Sequence, residues 1–207
     1  MPYLSELVFN PKQRSVFRLL GDSYKFHQWL MTAFPDNKDG GAGRVLYRIE
    51  HGDTASVALV QSMCEPNWTQ TEILRARGPK AVYTQQNPFH VGQTLRFKLR
   101  ANPTVCRDGK RHVWRTEQEQ IAWLIRKGVQ HGFSVGEGGG VIVSGQHTFR
   151  GAKYAQETEH HIVVVGIDFG GLLQVTDSEL FFETMKSGIG AAKGFGCGLL
   201  SVALPWR

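Results

Sequence analysis

From Gln93 to Ala101 the chain alternates without a break, with Leu95, Phe97 and Leu99 on one side and Arg96, Lys98 and Arg100 on the other. A period of two places alternate side chains on opposite faces of a strand, so this segment predicts a sheet with one apolar face. The pattern recurs earlier. Val45, Tyr47 and Ile49 alternate in a strand over 44–51, and Val57 and Leu59 do so in a strand over 55–62, with His51-Gly-Asp-Thr54 between them. An apolar sheet face must be covered, and the chain carries helix-start signals on either side of these strands.

In chain order, residues 3–9 read as a strand, and Asn10-Pro11 predicts a cap followed by proline at the first helical position. Asp22 is the N-cap of a helix running to Phe34, which Pro35 ends. Phe26, Leu30, Ala33 and Phe34 share its buried face, while Tyr24 and His27, three apart, lie together on the other side. A helix around 69–76 and a strand around 80–86 complete a β-α-β-β-α-β order, with Asn87-Pro88 and Gly92 at the seam. The second half repeats the order. Asp108-Gly109 is a turn, Thr116 with Glu119 forms a capping box for a helix over 117–127 closed by Gly128, and 136–140 is loop. Strands follow near 141–150 and 160–176. Thr176 with Glu179 opens a helix carrying Leu180, Phe181 and Met185 that ends at Gly188, and 198–204 is the last strand. The expected fold is α+β, two tandem ferredoxin-like (RRM-like) domains over 1–90 and 91–207.

A net charge of +6 favours an acidic partner, nucleic acid or a membrane surface. The longest apolar run, 162–167, is far too short to span a bilayer and reads as a strand, and the opening residues lack a signal-peptide pattern. Cys64, Cys106 and Cys197 are widely spaced and without C-x-x-C pairing, which predicts reduced core thiols in a cytoplasmic protein.

The stretch 188–201 holds five glycines (188, 190, 194, 196 and 198) around one cation, Lys193. Glycines this dense let backbone N–H groups approach an anion. The spacing matches neither G-x-G-x-x-G nor Gly-Lys-Ser/Thr, so the expected guest is a phosphate outside a nucleotide cofactor. Three further basic features accompany it: the strand face Arg96/Lys98/Arg100, the segment 107–115 with Lys110 and Arg111 beside aromatic Trp114, and the hairpin tip with Arg150 and Lys153. Cations interleaved with aromatics suit phosphate contact combined with base stacking. No H-E-x-x-H, zinc spacing or G-x-S-x-G elbow is present, and His160-His161 point to opposite faces of a strand, so neither metal nor cofactor is expected. A chemistry that needs so little is attack by a ribose 2′-OH on its own adjacent phosphate. The substrate carries the nucleophile, and the protein supplies a base and alignment, for which His27 and Tyr24 are the candidates.

Four runs, in this order, carry a resemblance: Asp22-Ser-Tyr24-Lys-Phe-His27-Gln with Phe34-Pro35, Phe97-Lys-Leu-Arg100-Ala-Asn102-Pro103, Glu119-Gln-Ile-Ala-Trp123-Leu-x-Arg126-Lys127, and the glycine-rich stretch from Gly188 to Ser201. Together the chain resembles the CasE-type CRISPR repeat endoribonucleases, the RNA-processing subunits of Cascade. The resemblance implies two ferredoxin-like domains. It also implies cleavage of precursor CRISPR RNA at the 3′ base of the repeat hairpin without metal, leaving a 2′,3′-cyclic phosphate. The product hairpin then stays bound beside other Cascade subunits, especially the backbone subunit, with no membrane involved. The catalytic pair of the family falls on Tyr24 and His27. The glycine-rich loop, with Lys193, Gly190, Gly194 and Gly196, would hold RNA backbone. Arg150 and Lys153 occupy the groove-binding hairpin, and Arg96, Lys98, Arg100, Asn102, Lys110 and Arg111 complete the RNA-binding set. Some relatives carry another cation shortly after the histidine. Here Gln28 to Met31 stands there, which leaves Lys25 or Lys193 for that role. The alternative is a non-catalytic subunit that binds the hairpin of the processed RNA.

Overall fold

The computed structural model describes residues 2–35, 41–82, 87–136, 140–155 and 158–205, with side chains at all of these except 110, 152–155 and 158–161. The chain divides into two compact units, neither continuous in sequence. Met1–Thr84, Thr148–Val164 and Lys193–Gly196 form the first, and Gln85–His147, Val165–Ala192 and Cys197–Arg207 form the second.

In the first unit β1 (Tyr3–Phe9), β2 (Val45–Glu50), β3 (Ser56–Ser62) and β4 (Arg75–Ala81) make an antiparallel sheet in the order β2-β3-β1-β4. Leu7 faces Ala58 and Tyr47 faces Val60 across it. Two helices, α1 (Arg14–Gly21) and α2 (Ser23–Met31), supply Val16, Phe26 and Leu30 to a core shared with Leu7, Phe9, Val45, Tyr47 and Val60. Alternate residues of the strands thus meet the three- and four-residue spacing of the helices, which buries the inner face of the sheet, while β2 is buried on both faces from Val45 to Ile49.

Three local expectations for this unit change. Asn10 caps a turn, accepting from the Lys12 N–H at 3.1 Å, and the helix begins at Arg14. No helix forms over 69–76. Leu74 already donates its N–H to Val8 at 2.8 Å, and the chain continues as β4, an edge strand whose Arg75, Arg77 and Lys80 are exposed. Pairing with β1 overrides the helical composition of Glu72 to Ala76, and charge plus Pro79 suits an unpaired edge. The strand expected over 80–86 is therefore this earlier one, and 83–86 lie outside the described residues.

In the second unit β5 (Thr94–Ala101) lies between β10 (Thr158–Val175) and β11 (Leu200–Ala203), with β8 (Phe133–Val135) beyond β10 and β9 (Ile142–Ala155) also paired to β10. The order β11-β5-β10-β8 repeats the last-first-third-second arrangement of the first unit. Helices α3 (Glu117–Gln130) and α4 (Ser178–Ser187) contribute Trp123, Leu124, Phe181 and Met185 to the core. β6 (Thr104–Arg107) and β7 (Lys110–Val113) form a separate ribbon turned by Asp108 and Gly109, both at positive φ.

The capping box is present: the Thr116 hydroxyl accepts from the Glu119 N–H, and the Glu119 carboxylate accepts from the Thr116 N–H. Helix α3 passes through Gly128, because that residue meets Phe133 so closely that a Cβ would lie 2.5 Å from its carbonyl oxygen. The helix stops at His131, beyond which Gly132 takes a positive φ. Asp177, not Thr176, caps α4 by accepting from the Leu180 N–H. All three cysteines are free thiols, but only Cys197 is in the core, while Cys64 is half-buried and Cys106 exposed.

Candidate active site

The site in the first unit is built from α2. Asp22 accepts the N–H groups of Tyr24 and Lys25 at 3.0 and 3.1 Å, which fixes where the helix starts and so the rotation of every later residue. Phe26 and Leu30 are fully buried, which holds Tyr24 and His27, both half-buried, toward the opposite side.

His27 lies over Tyr47, with ring centroids 6.4 Å apart and planes 14° from parallel. The Tyr47 hydroxyl donates to the carbonyl oxygen of Gly194 at 2.7 Å. Gly194 belongs to a single 3-10 turn, Lys193–Phe195, and its backbone passes close over the imidazole. A Cβ there would sit 3.6 Å from both Cδ2 and Nε2 of His27. Gly196, at φ +80°, packs so tightly that a Cβ would stand 3.1 Å from the Tyr47 ring. From another direction, β9 approaches at Gly151, where a Cβ would lie 2.7 Å from that of Tyr24 and 3.3 Å from the Phe195 ring. Glycine is required at 151 and 196 for space or backbone conformation, so these two are structural parts of the site.

Burial lowers the His27 pKa, since a charged imidazolium loses hydration there. Its Nδ1 is shielded from solvent and has no hydrogen-bond partner among the described residues. The group is therefore a neutral imidazole near neutral pH, able to accept a proton. Lys193, immediately before Gly194, is partly exposed, and Arg150, immediately before Gly151, is exposed. Lys25 is 68% exposed and reaches back to Asp22 at 3.9 Å. The first unit thus brings together Tyr24, His27, Lys193, Gly194, Gly196 and Arg150. The side chain of Lys153 lies outside the described residues.

The second unit separates the remaining candidates. Arg100 is not a surface cation. Only 2% exposed, its guanidinium donates to both carboxylate oxygens of Asp168, at 2.6 and 2.9 Å. His147 Nε2 lies 2.8 Å from the same carboxylate. Burial works to raise the Asp168 pKa, but the hydrogen bonds and charge of Arg100, aided by His147, prevail and hold it below the usual range. The expected face of three cations is thus Lys98 and Arg96 alone. Lys98 is exposed, and the Arg96 Nε donates to the Leu204 carbonyl at 2.9 Å.

Asn102 is buried too, donating to the Val165 carbonyl at 2.7 Å, so both it and Arg100 serve the sheet rather than a ligand. Nearby, burial pushes the Cys197 thiol up to about 12, an inert core group. Gly190, at φ +78°, lies against Trp123, where a Cβ would be 3.3 Å from the indole. Arg111 is exposed on β7, while the Lys110 side chain lies outside the described residues.

Tyr47, Phe195 and Gly151 were not among the sequence candidates. Tyr47 carried one signal: a tyrosine at a core position needs a partner for its hydroxyl, which phenylalanine would not.

The family model described as CRISPR associated protein matches residues 2–204. A CRISPR-associated endoribonuclease Cse3 of Thermus thermophilus is 36% identical, over 97% of this chain and 99% of that protein. The CRISPR system Cascade subunit CasE of Escherichia coli is 31% identical, over 88% and 92% respectively. The solved structure of Thermus thermophilus Cse3 bound to an RNA representing a pre-cleavage complex superposes with a TM-score of 0.82, at 33% identity and 98% coverage of each chain. This chain accordingly belongs to the CRISPR associated protein family and, within it, to the CasE-type endoribonucleases.

Proposed function

We propose that this chain cleaves precursor CRISPR RNA at the 3′ base of the repeat hairpin, without metal, and remains on the product as a cytoplasmic Cascade subunit. The observation that carries this reading is the packing of the Gly194 backbone over the His27 imidazole. One loop able to hold phosphate and one unprotonated base then address the same substrate atoms. His27 takes the proton of the ribose 2′-OH, and the oxygen attacks the adjacent phosphorus. The new O2′–P bond forms as the bond to the 5′-oxygen breaks, and that oxygen leaves as a hydroxyl on taking up a proton. Products are a 2′,3′-cyclic phosphate and a 5′-hydroxyl. Tyr24 orients the sugar-phosphate through its hydroxyl, and Lys193, next to Gly194, supplies positive charge where negative charge develops on phosphate.

In this reading Lys193, Gly194, Gly196 and Arg150, with Lys153 of the same hairpin, hold RNA backbone, and Arg96 and Lys98 of the second unit are further RNA-binding residues. Gly190 is a packing glycine beside Trp123. We propose two ferredoxin-like domains that follow chain order, 1–90 with the catalytic helix and 91–207, although Thr148–Val164 and Lys193–Gly196 of the latter pack in the first compact unit. The test is incubation with repeat RNA in EDTA, followed by mapping of the product ends. Cleavage with a 2′,3′-cyclic end, abolished by a 2′-deoxy nucleotide before the scissile phosphate, is expected. Dependence on a divalent ion, or cleavage of the deoxy substrate, would overturn the mechanism.

A further inference from the structure

The β6–β7 ribbon of the second unit borders an open groove that the cleavage chemistry does not use. Arg111, His112, Trp114, Arg115 and Gln146 line it, with Val113 and Val165 forming its apolar part. Arg111, His112 and Arg115 are exposed. No carboxylate among the described residues lines the groove. Glu119, at the start of α3, is committed to the capping box, accepting from the backbone N–H groups of Arg115 and Thr116. Two more guanidiniums stand on the indole, Arg107 at 5.2 Å and Arg126 at 5.9 Å from the ring centroid.

The indole Nε1–H of Trp114 is shielded from solvent and has no hydrogen-bond partner among the described residues, a costly condition for a buried donor. The backbone around it is rigid, since the Trp114 N–H donates to Pro103 and its carbonyl accepts from Gln120. An aromatic ringed by guanidiniums, in a groove lined by no acid, suits a ligand that carries both anionic oxygens and planar rings.

We infer that this groove, none of whose lining residues belongs to the cleaving site, binds single-stranded RNA flanking the repeat hairpin. Duplex RNA would present only its backbone to such a surface, whereas an unpaired strand can place a base in the concavity and its phosphates on Arg111 and Arg115. This inference rests on the reading of the chain as a repeat endoribonuclease, and its test separates the two.

Binding of an uncleavable repeat hairpin is measured with and without a single-stranded extension of about ten nucleotides, placed 5′ or 3′, across a range of salt. In the wild-type protein one of the extensions should tighten binding about tenfold. It should also steepen the salt dependence by about 0.7 for each additional phosphate that pairs with a cation. The double variant Arg111→Ala/Arg115→Ala, and separately Trp114→Leu, should bring the ratio of affinities for extended and minimal RNA close to one. A wild-type protein whose affinity neither extension improves, or variants that keep the full improvement, would overturn the inference, including the case in which they instead lose a protein partner. Cleavage of the minimal hairpin by the wild-type protein tests the underlying activity independently.

Discussion

His27 in the first compact unit and His147 in the second are both half-buried, and their settings are opposite. His147 sits 2.8 Å from Asp168, which also takes both hydrogen bonds of the buried Arg100. Every charge there has a counter-charge, and the carboxylate is stabilised in its ionised form. His27 has no ionic partner among the described residues, a shielded Nδ1 with no hydrogen bond among them, and a burial that disfavours its protonated form. Pairing fixes structure and removes reactivity, whereas an isolated imidazole beside a glycine backbone keeps a proton-accepting group available.

Breaking the paired side should give the largest effect. Asp168→Asn leaves the Arg100 guanidinium buried without its counter-charge and should cost about 3 kcal/mol of stability. Denaturant unfolding measures this, and a loss below about 1 kcal/mol would mean that Arg100 is solvated and the contrast is false. On the other side, Gly151→Ala forces a Cβ to within 2.7 Å of the Tyr24 Cβ. Displacing that helix turn should slow single-turnover cleavage about a hundredfold. An unchanged rate would separate Tyr24 from the reaction.

Tyr47→Phe keeps the ring under His27 and removes the hydroxyl's hydrogen bond to Gly194. The expected loss is about tenfold in kcat with little change in hairpin affinity, because loop placement matters more at the transition state than for binding. Equal losses in affinity and rate would make Tyr47 a general packing residue. The smallest effect is in pH. Because burial depresses the His27 pKa, the midpoint of its protonation should lie below the ordinary value of 6.5. Cleavage should therefore persist as pH falls through 6.5 and decline further down. An acid limb above 6.5 would show that a partner raises the imidazole pKa instead.

Much of the fold could be read from periodicity. The alternation at Leu95, Phe97 and Leu99, the Asp22 cap and the Thr116–Glu119 box are local signals, and local geometry decides them. The errors fell where distant contacts decide. Glu72 to Ala76 departed from helix because β1 offered an open edge, and Gly128 stayed helical because Phe133 crosses it. The site divided in the same way. Tyr24 and His27 share one helix face and were legible, as was the grouping of glycines. Arg100 was not, since a strand register alone decides that it meets Asp168 rather than solvent. Nor was Tyr47, whose role depends on a residue 147 positions away.

The assignment of the base is tested most directly by His27→Ala. Single-turnover cleavage of a repeat hairpin and equilibrium binding of the uncleavable 2′-deoxy form should be measured on the same preparation. The expected outcome is a rate loss on the order of 10²- to 10⁴-fold, the range for removing a general base, with binding changed less than about threefold. Cleavage at the wild-type rate would contradict the assignment of His27 as the base.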